Sequence, residues 1–174
     1  PQAGQAELLM FAANGHGAWE AVIANLLGPG KSALIPGTGH FSESWALQAE
    51  ALGARVLRTP WLEGLPIDAE AVARALRDDR QHEIVAVFAV HTDTASGVTS
   101  DMQQLRDVLD ASGHPALLVV DVVASFGVVP FDMQALRADV VVGADYFNGG
   151  FSEEGGASSA PGIAAAIRAA RSRS

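Results

Sequence analysis

Residues Glu83–Val90 have the sequence EIVAVFAV, and this nearly uninterrupted apolar run decides the fold. A strand with one face in water alternates apolar and polar residues, whereas a strand buried on both faces is apolar throughout. The run Ala116–Val120 (ALLVV) has the same character. Segments with helical spacing separate such runs, and this alternation is typical of a parallel sheet with helices on both faces. The sequence therefore predicts a three-layer α/β/α fold with a mostly parallel sheet.

The same patterns predict the other elements of the chain. Further strands are expected at Glu7–Ala13, Ser32–Ile35, Arg55–Thr59 and Val140–Val142, and helices at Gly15–Leu27, Ser42–Leu52, Asp68–Leu76 (with Asp68 as N-cap) and Asp101–Leu109 (capped by Ser100 or Asp101). After Ala144 the composition shifts to Gly, Ala, Ser and Arg, and only Pro161–Arg171 is expected to form a helix there. We therefore expect a partial domain at residues 1–144 and a divergent tail at residues 145–174.

Length and composition exclude several classes of protein. The 174 residues correspond to about one domain, and 49% hydrophobic with 18% charged residues excludes a disordered chain. The net charge of -9 disfavours binding to nucleic acid or to an anionic membrane, and the lack of cysteine excludes disulfides and thiolate metal sites. No apolar run is long enough to span a bilayer and no signal segment is visible, so we expect a cytoplasmic location. Lys31 is the only lysine.

Two glycine-containing segments lie between a predicted strand and the next helix, at the sheet edge where α/β proteins bind ligands. In Asn14-Gly15-His16-Gly17, the free N–H groups and the helix dipole favour a phosphate, although an ordinary strand-to-helix turn explains the pattern more simply. In Gly37-Thr38-Gly39-His40-Phe41, Phe41 is either a stacking surface for a planar ligand or a core residue at a helix entry.

Two further segments follow the most apolar strands. The segment His91–Gly97 (HTDTASG) is either a functional loop or a polar turn with satisfied hydrogen bonds. His91 and Asp93 suggest a metal, but no third ligand at a known spacing supports one, so none is predicted. Asp121 ends the second apolar strand, and a buried carboxylate is costly unless it is paired. Asp121 therefore implies a cation, a metal or a protonated ring nitrogen, unless it only caps the following turn.

The segments NGHGAWEA, GTGHFSESW, HTDTASGV and VVDVVASFGVVPFDM together resemble one family. They are similar to the large domain of class V, fold-type I pyridoxal-phosphate aminotransferases of the alanine–glyoxylate and serine–glyoxylate group, from about Glu7 to Ala144. The resemblance implies pyridoxal 5'-phosphate as cofactor and transfer of an amino group from alanine or serine to glyoxylate or a similar 2-oxo acid. It also implies a homodimer for the full-length protein.

The resemblance assigns roles to individual residues. Asn14–His16 would wrap the cofactor phosphate, with Asn14 where the family more often has serine. Phe41 would stack on the pyridine ring, and Ser96 would lie beside the phenolic oxygen of the cofactor. Asp121 would pair with the pyridine nitrogen and keep it protonated, which makes the ring an electron acceptor.

The resemblance fails at one essential position. Downstream of Asp121 the family has Ser-Gln-Lys, whose lysine forms the Schiff base with the cofactor, and here Phe147 occupies that position. Lys31 precedes a predicted strand and is expected at the opposite edge of the sheet from the ligand site. We therefore expect this chain alone to be inactive. We also expect the family's N-terminal arm and small domain to be missing, and the tail composition favours a truncated or frameshifted large domain.

Two other functions fit the sequence. The chain could be a non-catalytic module that holds pyridoxal phosphate without a covalent bond or pairs with a full-length subunit. It could also be an unrelated doubly wound nucleotide-binding domain, although the glycine fingerprint expected after the first strand of such a domain is missing.

Overall fold

The computed structural model describes residues 7–10, 13–28, 30–145 and 162–167. The strands are β1 (Glu7–Met10), β2 (Ser32–Pro36), β3 (Arg55–Thr59), β4 (Ile84–Val90), β5 (Thr92–Asp93), β6 (Val98–Thr99), β7 (Leu117–Asp121), β8 (Val140–Asp145) and β9 (Gly162–Ile167). The helices are α1 (Gly15–Leu26), α2 (His40–Ala51), α3 (Ala69–Asp78), α4 (Met102–Ser112) and α5 (Met133–Leu136). No helix in these described ranges is both long and apolar enough to cross a membrane.

Seven strands form one sheet in the order β1-β9-β8-β7-β4-β2-β3. From β3 to β8 all neighbours are parallel, whereas β9 is antiparallel to both β8 and β1. The short strands β5 and β6 form a separate antiparallel hairpin after β4. The mostly parallel sheet predicted from the sequence is therefore confirmed.

Strand β4 explains why its sequence lacks alternation. Ala86, Phe88 and Val90 belong to the core cluster on the side of α1 and α2. Val87 and Ala89 belong to the cluster on the side of α3 and α4. Because helices cover both faces, both sets of side chains are buried, and the strand is apolar throughout. The α/β/α layering follows from this double burial.

Side chains with carboxylate or amide oxygens begin most of the helices. Asn14 accepts a hydrogen bond from the Gly17 N–H at 3.0 Å, and Asp68 accepts one from the Ala71 N–H at 3.0 Å. Asp101 accepts from two N–H groups at the start of α4, which resolves the choice between Ser100 and Asp101. These contacts satisfy N–H groups that have no acceptor within the helix.

One prediction about the ends of the sheet is wrong. The segment Pro161–Arg171 was expected to be helical, but Gly162–Ile167 forms strand β9. The alanine-rich sequence favours a helix only weakly, and pairing with β1 on one side and β8 on the other overrides that preference. Strand β1 is exposed along its whole length, because it is the edge strand of the described sheet and no helix covers it.

Candidate functional site

The candidate site lies where β2, β4 and β7 end at the same edge of the sheet. The loop after β2 leads into α2, the hairpin β5–β6 follows β4, and a turn follows β7. The amino end of α1 reaches this edge as well, because Trp19 on its second turn contacts Asp121 at the end of β7. The structure therefore brings together the four segments that the sequence singled out.

Asp121 is the most unusual residue of this edge. Its side chain is only 5% exposed, and both carboxylate oxygens are held by neutral donors. Oδ1 accepts from the Val123 N–H at 2.7 Å, and Oδ2 accepts from the Trp19 indole N–H at 3.0 Å. Burial raises the pKa of Asp121 to about 6, with a further rise from the charge of Asp93, and the two donors offset only part of it. A cation placed against Asp121 would reverse this shift, because it would favour the charged carboxylate.

An aromatic column supports the hydrogen bond to Asp121. Trp19 stacks on Trp45 with ring centres 5.1 Å apart and 13° between the planes, and Trp45 meets the edge of Phe88 at 5.0 Å. The His16 ring lies 4.6 Å from Trp19 on the same helix. Trp19 lies in the helix predicted at Gly15–Leu27 and is not among the candidate site residues predicted from the sequence. The signal that could have found it is that a buried indole N–H generally needs an acceptor.

Asp93 joins two of the loops. It is completely buried, and its Oδ2 accepts from the Phe41 backbone N–H at 2.9 Å and from the Thr38 hydroxyl at 3.4 Å. Its Oδ1 accepts from the Ala95 N–H at 3.1 Å. A Cβ on Gly39, whose φ is +149°, would lie 2.9 Å from Oδ2, so the glycine permits this close approach. Asp93 therefore fixes the loop after β2 against the loop after β4.

Phe41 and Ser96 lie on the loops that Asp93 joins. Phe41 is half-buried at the start of α2 and packs against the core cluster on that side of the sheet. The Ser96 hydroxyl is 3.4 Å from the Thr38 carbonyl oxygen and 3.3 Å from that of Asp93. These contacts account for both side chains within the fold. Stacking on a cofactor ring by Phe41 and a cofactor contact by Ser96 stay predictions.

The amino end of α1 provides a feature suited to an anion. Asn14 and His16 are exposed and Gly15 is buried, with the Asn14 oxygen used to cap the helix. The His16 carbonyl accepts from the Gln48 side chain at 2.9 Å, which fixes this turn against α2. Backbone N–H groups in the first turn of a helix have no acceptor within it, and together with the helix dipole they favour a phosphate. The phosphate-binding role stays a prediction.

His91 contacts the backbone of Asp121. Its backbone N–H donates to the Asp121 carbonyl oxygen at 2.9 Å, and its Nδ1 lies 2.8 Å from the Ser125 hydroxyl. The imidazole is buried, and this desolvation lowers the pKa of His91. In the described part of the chain, no group of three or more His, Asp or Glu side chains could hold a metal ion.

Lys31 lies far from these loops along the strand direction. It is exposed and immediately precedes β2, at the amino end of that strand. Asp121 ends β7, which is parallel to β2 through β4. The two residues therefore lie at opposite edges of the sheet, as the sequence predicted. Phe147, which the resemblance places at the position of the Schiff-base lysine, lies outside the described residues.

Several known proteins with similar sequences are named as aminotransferases. The sequence model of the family described as aminotransferase class V matches residues 2–145. The L-aspartate–glyoxylate aminotransferase of Paracoccus denitrificans is 41% identical over 140 residues, which are 79% of this chain and 35% of that protein. The serine–glyoxylate aminotransferase of Methylorubrum extorquens is 40% identical over 135 residues, which are 78% of this chain and 34% of that protein. The chain thus spans about a third of these relatives.

Solved structures give the same assignment of the fold. The alanine–glyoxylate aminotransferase of Nostoc sp. superposes with a TM-score of 0.72 at 25% identity, over 96% of this chain and 43% of that one. The ureidoglycine–glyoxylate aminotransferase of Bacillus subtilis superposes with a TM-score of 0.76 at 20% identity, over 93% of this chain and 39% of that one. The sheet and its flanking helices are therefore those of the fold-type I aminotransferases.

Proposed function

Because the chain belongs to the class V aminotransferase family, whose enzymes depend on pyridoxal phosphate, we propose that it carries the cofactor-binding part of such an enzyme. The observation that supports this best is Asp121, a buried carboxylate at the end of β7 with two neutral donors and a raised pKa. Such a group is stabilised by a protonated ring nitrogen. The residues present therefore fit pyridoxal phosphate at its pyridine end.

Each part of the site has a distinct task in this proposal. When bound, pyridoxal phosphate supplies a protonated pyridine ring that withdraws electrons from the amino acid substrate. Asp121 holds the proton on the ring nitrogen, which makes the ring electron-poor. The amino end of α1, at Asn14–His16, binds the phosphate, and Phe41 covers one face of the ring. Ser96 binds the phenolic oxygen of the cofactor.

The reaction we propose for the full-length protein is transfer of an amino group from alanine or serine to glyoxylate or a similar 2-oxo acid. The relatives named above support glyoxylate, because it appears in all of their names. The same names differ in the amino donor, which is aspartate, serine, alanine or ureidoglycine. Among these relatives the amino donor therefore varies, whereas the acceptor does not.

We propose that this chain alone binds the cofactor without turnover. Phe147 has no amine, and Lys31 lies at the opposite edge of the sheet. The test is titration of the chain with pyridoxal phosphate, followed by borohydride reduction and mass spectrometry of Lys31. We expect reversible binding that dialysis removes, and no pyridoxyl group on Lys31. A reduced pyridoxyl group on Lys31 together with transamination of alanine would overturn the proposal.

A matched variant connects binding to the site. Asp121→Asn keeps the shape of the side chain and removes its charge, so we expect it to weaken pyridoxal phosphate binding about tenfold or more. Asp107→Asn, on an exposed residue of α4, is the control and should bind as the original chain does. Equal affinity for all three chains would refute the assignment of Asp121 to the cofactor.

A second candidate function is a non-catalytic module that holds pyridoxal phosphate or pairs with a full-length subunit. The single lysine favours it, because no other residue of this sequence offers a side-chain primary amine for the covalent bond. Association is supported by the exposed apolar side chains of Leu8, Met10, Phe126 and Val128. Size-exclusion chromatography of the chain alone distinguishes a homodimer from a monomer. Mixing it with a full-length serine–glyoxylate aminotransferase then tests for a mixed complex.

A further inference from the structure

The two indoles of the aromatic column, Trp19 and Trp45, differ in their polar contacts within the described part of the chain. The Trp19 N–H donates to Asp121 Oδ2 at 3.0 Å, across 102 positions of sequence. The Trp45 N–H is buried and has no hydrogen-bond partner among the residues that the structure describes, although its ring stacks on that of Trp19. Both side chains are almost completely buried. The two residues therefore share an environment and differ in the contact with Asp121.

We propose that Trp19 is a positioning residue whose indole N–H fixes the orientation of the Asp121 carboxylate and keeps it charged for the cofactor's ring nitrogen. The inference rests on the cofactor role of Asp121 proposed above. Burial disfavours the charged carboxylate, and a donor on each oxygen opposes that effect. The Val123 donor belongs to the backbone, so Trp19 provides the side-chain contact. The stack on Trp45 fixes the indole plane and so the direction of its N–H.

The titratable groups around Asp121 do not favour its negative charge, so the hydrogen bond from Trp19 contributes more to keeping the carboxylate charged. Among the described residues, the titratable groups facing the pair are Asp93, His91 and His16. The negative charge of Asp93 raises the pKa of Asp121, because it disfavours a second negative charge nearby. The pKa of His91 is lowered by burial, which disfavours a positive charge beside Asp121. His16 contacts the Trp19 ring and is exposed to solvent.

The first experiment uses the complete chain without cofactor. Indole 15N–1H resonances are recorded from pH 4 to 8, and the Trp45→Phe and Trp61→Phe variants leave Trp19 to be assigned by elimination. We expect the Trp19 N–H to shift with a midpoint near that of Asp121, and the Asp121→Asn variant to abolish the shift. A Trp19 resonance that does not follow the Asp121 titration would overturn the inference, and this measurement requires no variant of Trp19.

The second experiment compares Trp19→Phe with Trp45→Phe. Each substitution keeps an aromatic ring in the column, but only the first removes a donor from Asp121. In chains labelled with 13C at the aspartate carboxyl, we expect Trp19→Phe to raise the midpoint of Asp121 by about one pH unit and Trp45→Phe to leave it unchanged. Equal midpoints in the two variants would contradict the proposed role.

Cofactor affinity separates this inference from the proposed function. We expect Trp19→Phe to weaken pyridoxal phosphate binding about tenfold more than Trp45→Phe does, since the carboxylate loses orientation and charge. If Asp121→Asn leaves cofactor binding unchanged, the proposed function fails even where the Trp19 N–H still follows the Asp121 titration. If Asp121→Asn weakens binding and the two tryptophan variants behave alike, the proposed function stands and the role of Trp19 is refuted.

Discussion

Replacing Asp121 with asparagine should make the stability of the chain less dependent on pH. Burial raises the pKa of Asp121 from 3.8 to about 6, so the folded chain keeps this proton to higher pH than the unfolded chain does. Below about pH 4, Asp121 is protonated in both the folded and the unfolded chain, and the stabilisation that comes from its raised pKa is fully present. This stabilisation is lost as the pH rises through 6, where Asp121 of the folded chain also loses its proton. The shift of about two pKa units corresponds to about 3 kcal/mol in the free energy of unfolding.

The assay is urea denaturation of the original chain and of Asp121→Asn at pH 4.0, 5.0, 6.0, 7.0 and 8.0. The asparagine oxygen can accept from Trp19 or from Val123, and the lost bond costs about 1 kcal/mol at every pH. Titrating groups that do not interact with Asp121 contribute equally to both chains, so they cancel in the difference, whereas the interaction with Asp93 is part of the effect of Asp121. Between pH 4 and pH 8, we expect the free energy of unfolding of Asp121→Asn to rise by about 3 kcal/mol relative to that of the original chain. A difference that stays constant across this range would refute the assignment of a raised pKa to Asp121.

Three further predictions concern the surroundings of the site and the helix ends. Gly39→Ala should lower the free energy of unfolding by about 2 kcal/mol or more in urea denaturation, because the new Cβ would meet Asp93. The control is Gly53→Ala, which is also at positive φ but in open space and should cost about 1 kcal/mol. The imidazole of His114 should titrate below pH 6.5 by NMR, because burial lowers its pKa. Its contribution to stability should therefore be lost as the pH falls below 6.5. An NMR midpoint above 6.5 would contradict this prediction. Asp101→Ala should cost about 1 kcal/mol by removing the cap of α4, and Asp101→Asn should restore most of it; equal losses in both variants would exclude capping as the cause.

The interpretation of the tail can be tested on the coding DNA. If the tail after Ala144 arises from a shifted reading frame, another frame of the same DNA should encode Ser-Gln-Lys at the position of Phe147. Sequencing the coding region decides this, and a DNA segment without such a frame would rule out the frameshift.

The sequence was sufficient for the parts of the fold that depend on local pattern. The residues of β4 are apolar on both faces, so its burial between two helical layers could be predicted from the run alone. Asp121 could be singled out because a carboxylate at the end of an apolar strand needs a partner. Asp68 could be placed at a helix start, since its oxygen satisfies a backbone N–H that the helix itself leaves free.

Long-range contacts account for what the sequence did not predict. The bond between Trp19 and Asp121 depends on the packing of α1 against the sheet, so the local segments indicate that each group needs a partner but not that they are each other's partner. The position of Asp93 between two loops depends in the same way on Phe41 and Thr38, more than fifty residues upstream. Strand β9 was mistaken for a helix, because its sequence favours a helix while its two neighbouring strands determine its conformation.

The position of β9 has a consequence for how the chain folds during synthesis. Within the described sheet, β1 pairs only with β9, so the first described strand in chain order is held by the last described one. The pairs Glu7–Ile167 and Val140–Ile167 form only after residue 167 has emerged. Until then β1 and the free edge of β8 are open to pairing with other chains, a route to aggregation. The parallel strands from β3 to β8 can form earlier, so we expect completion of the sheet to be a late step of folding.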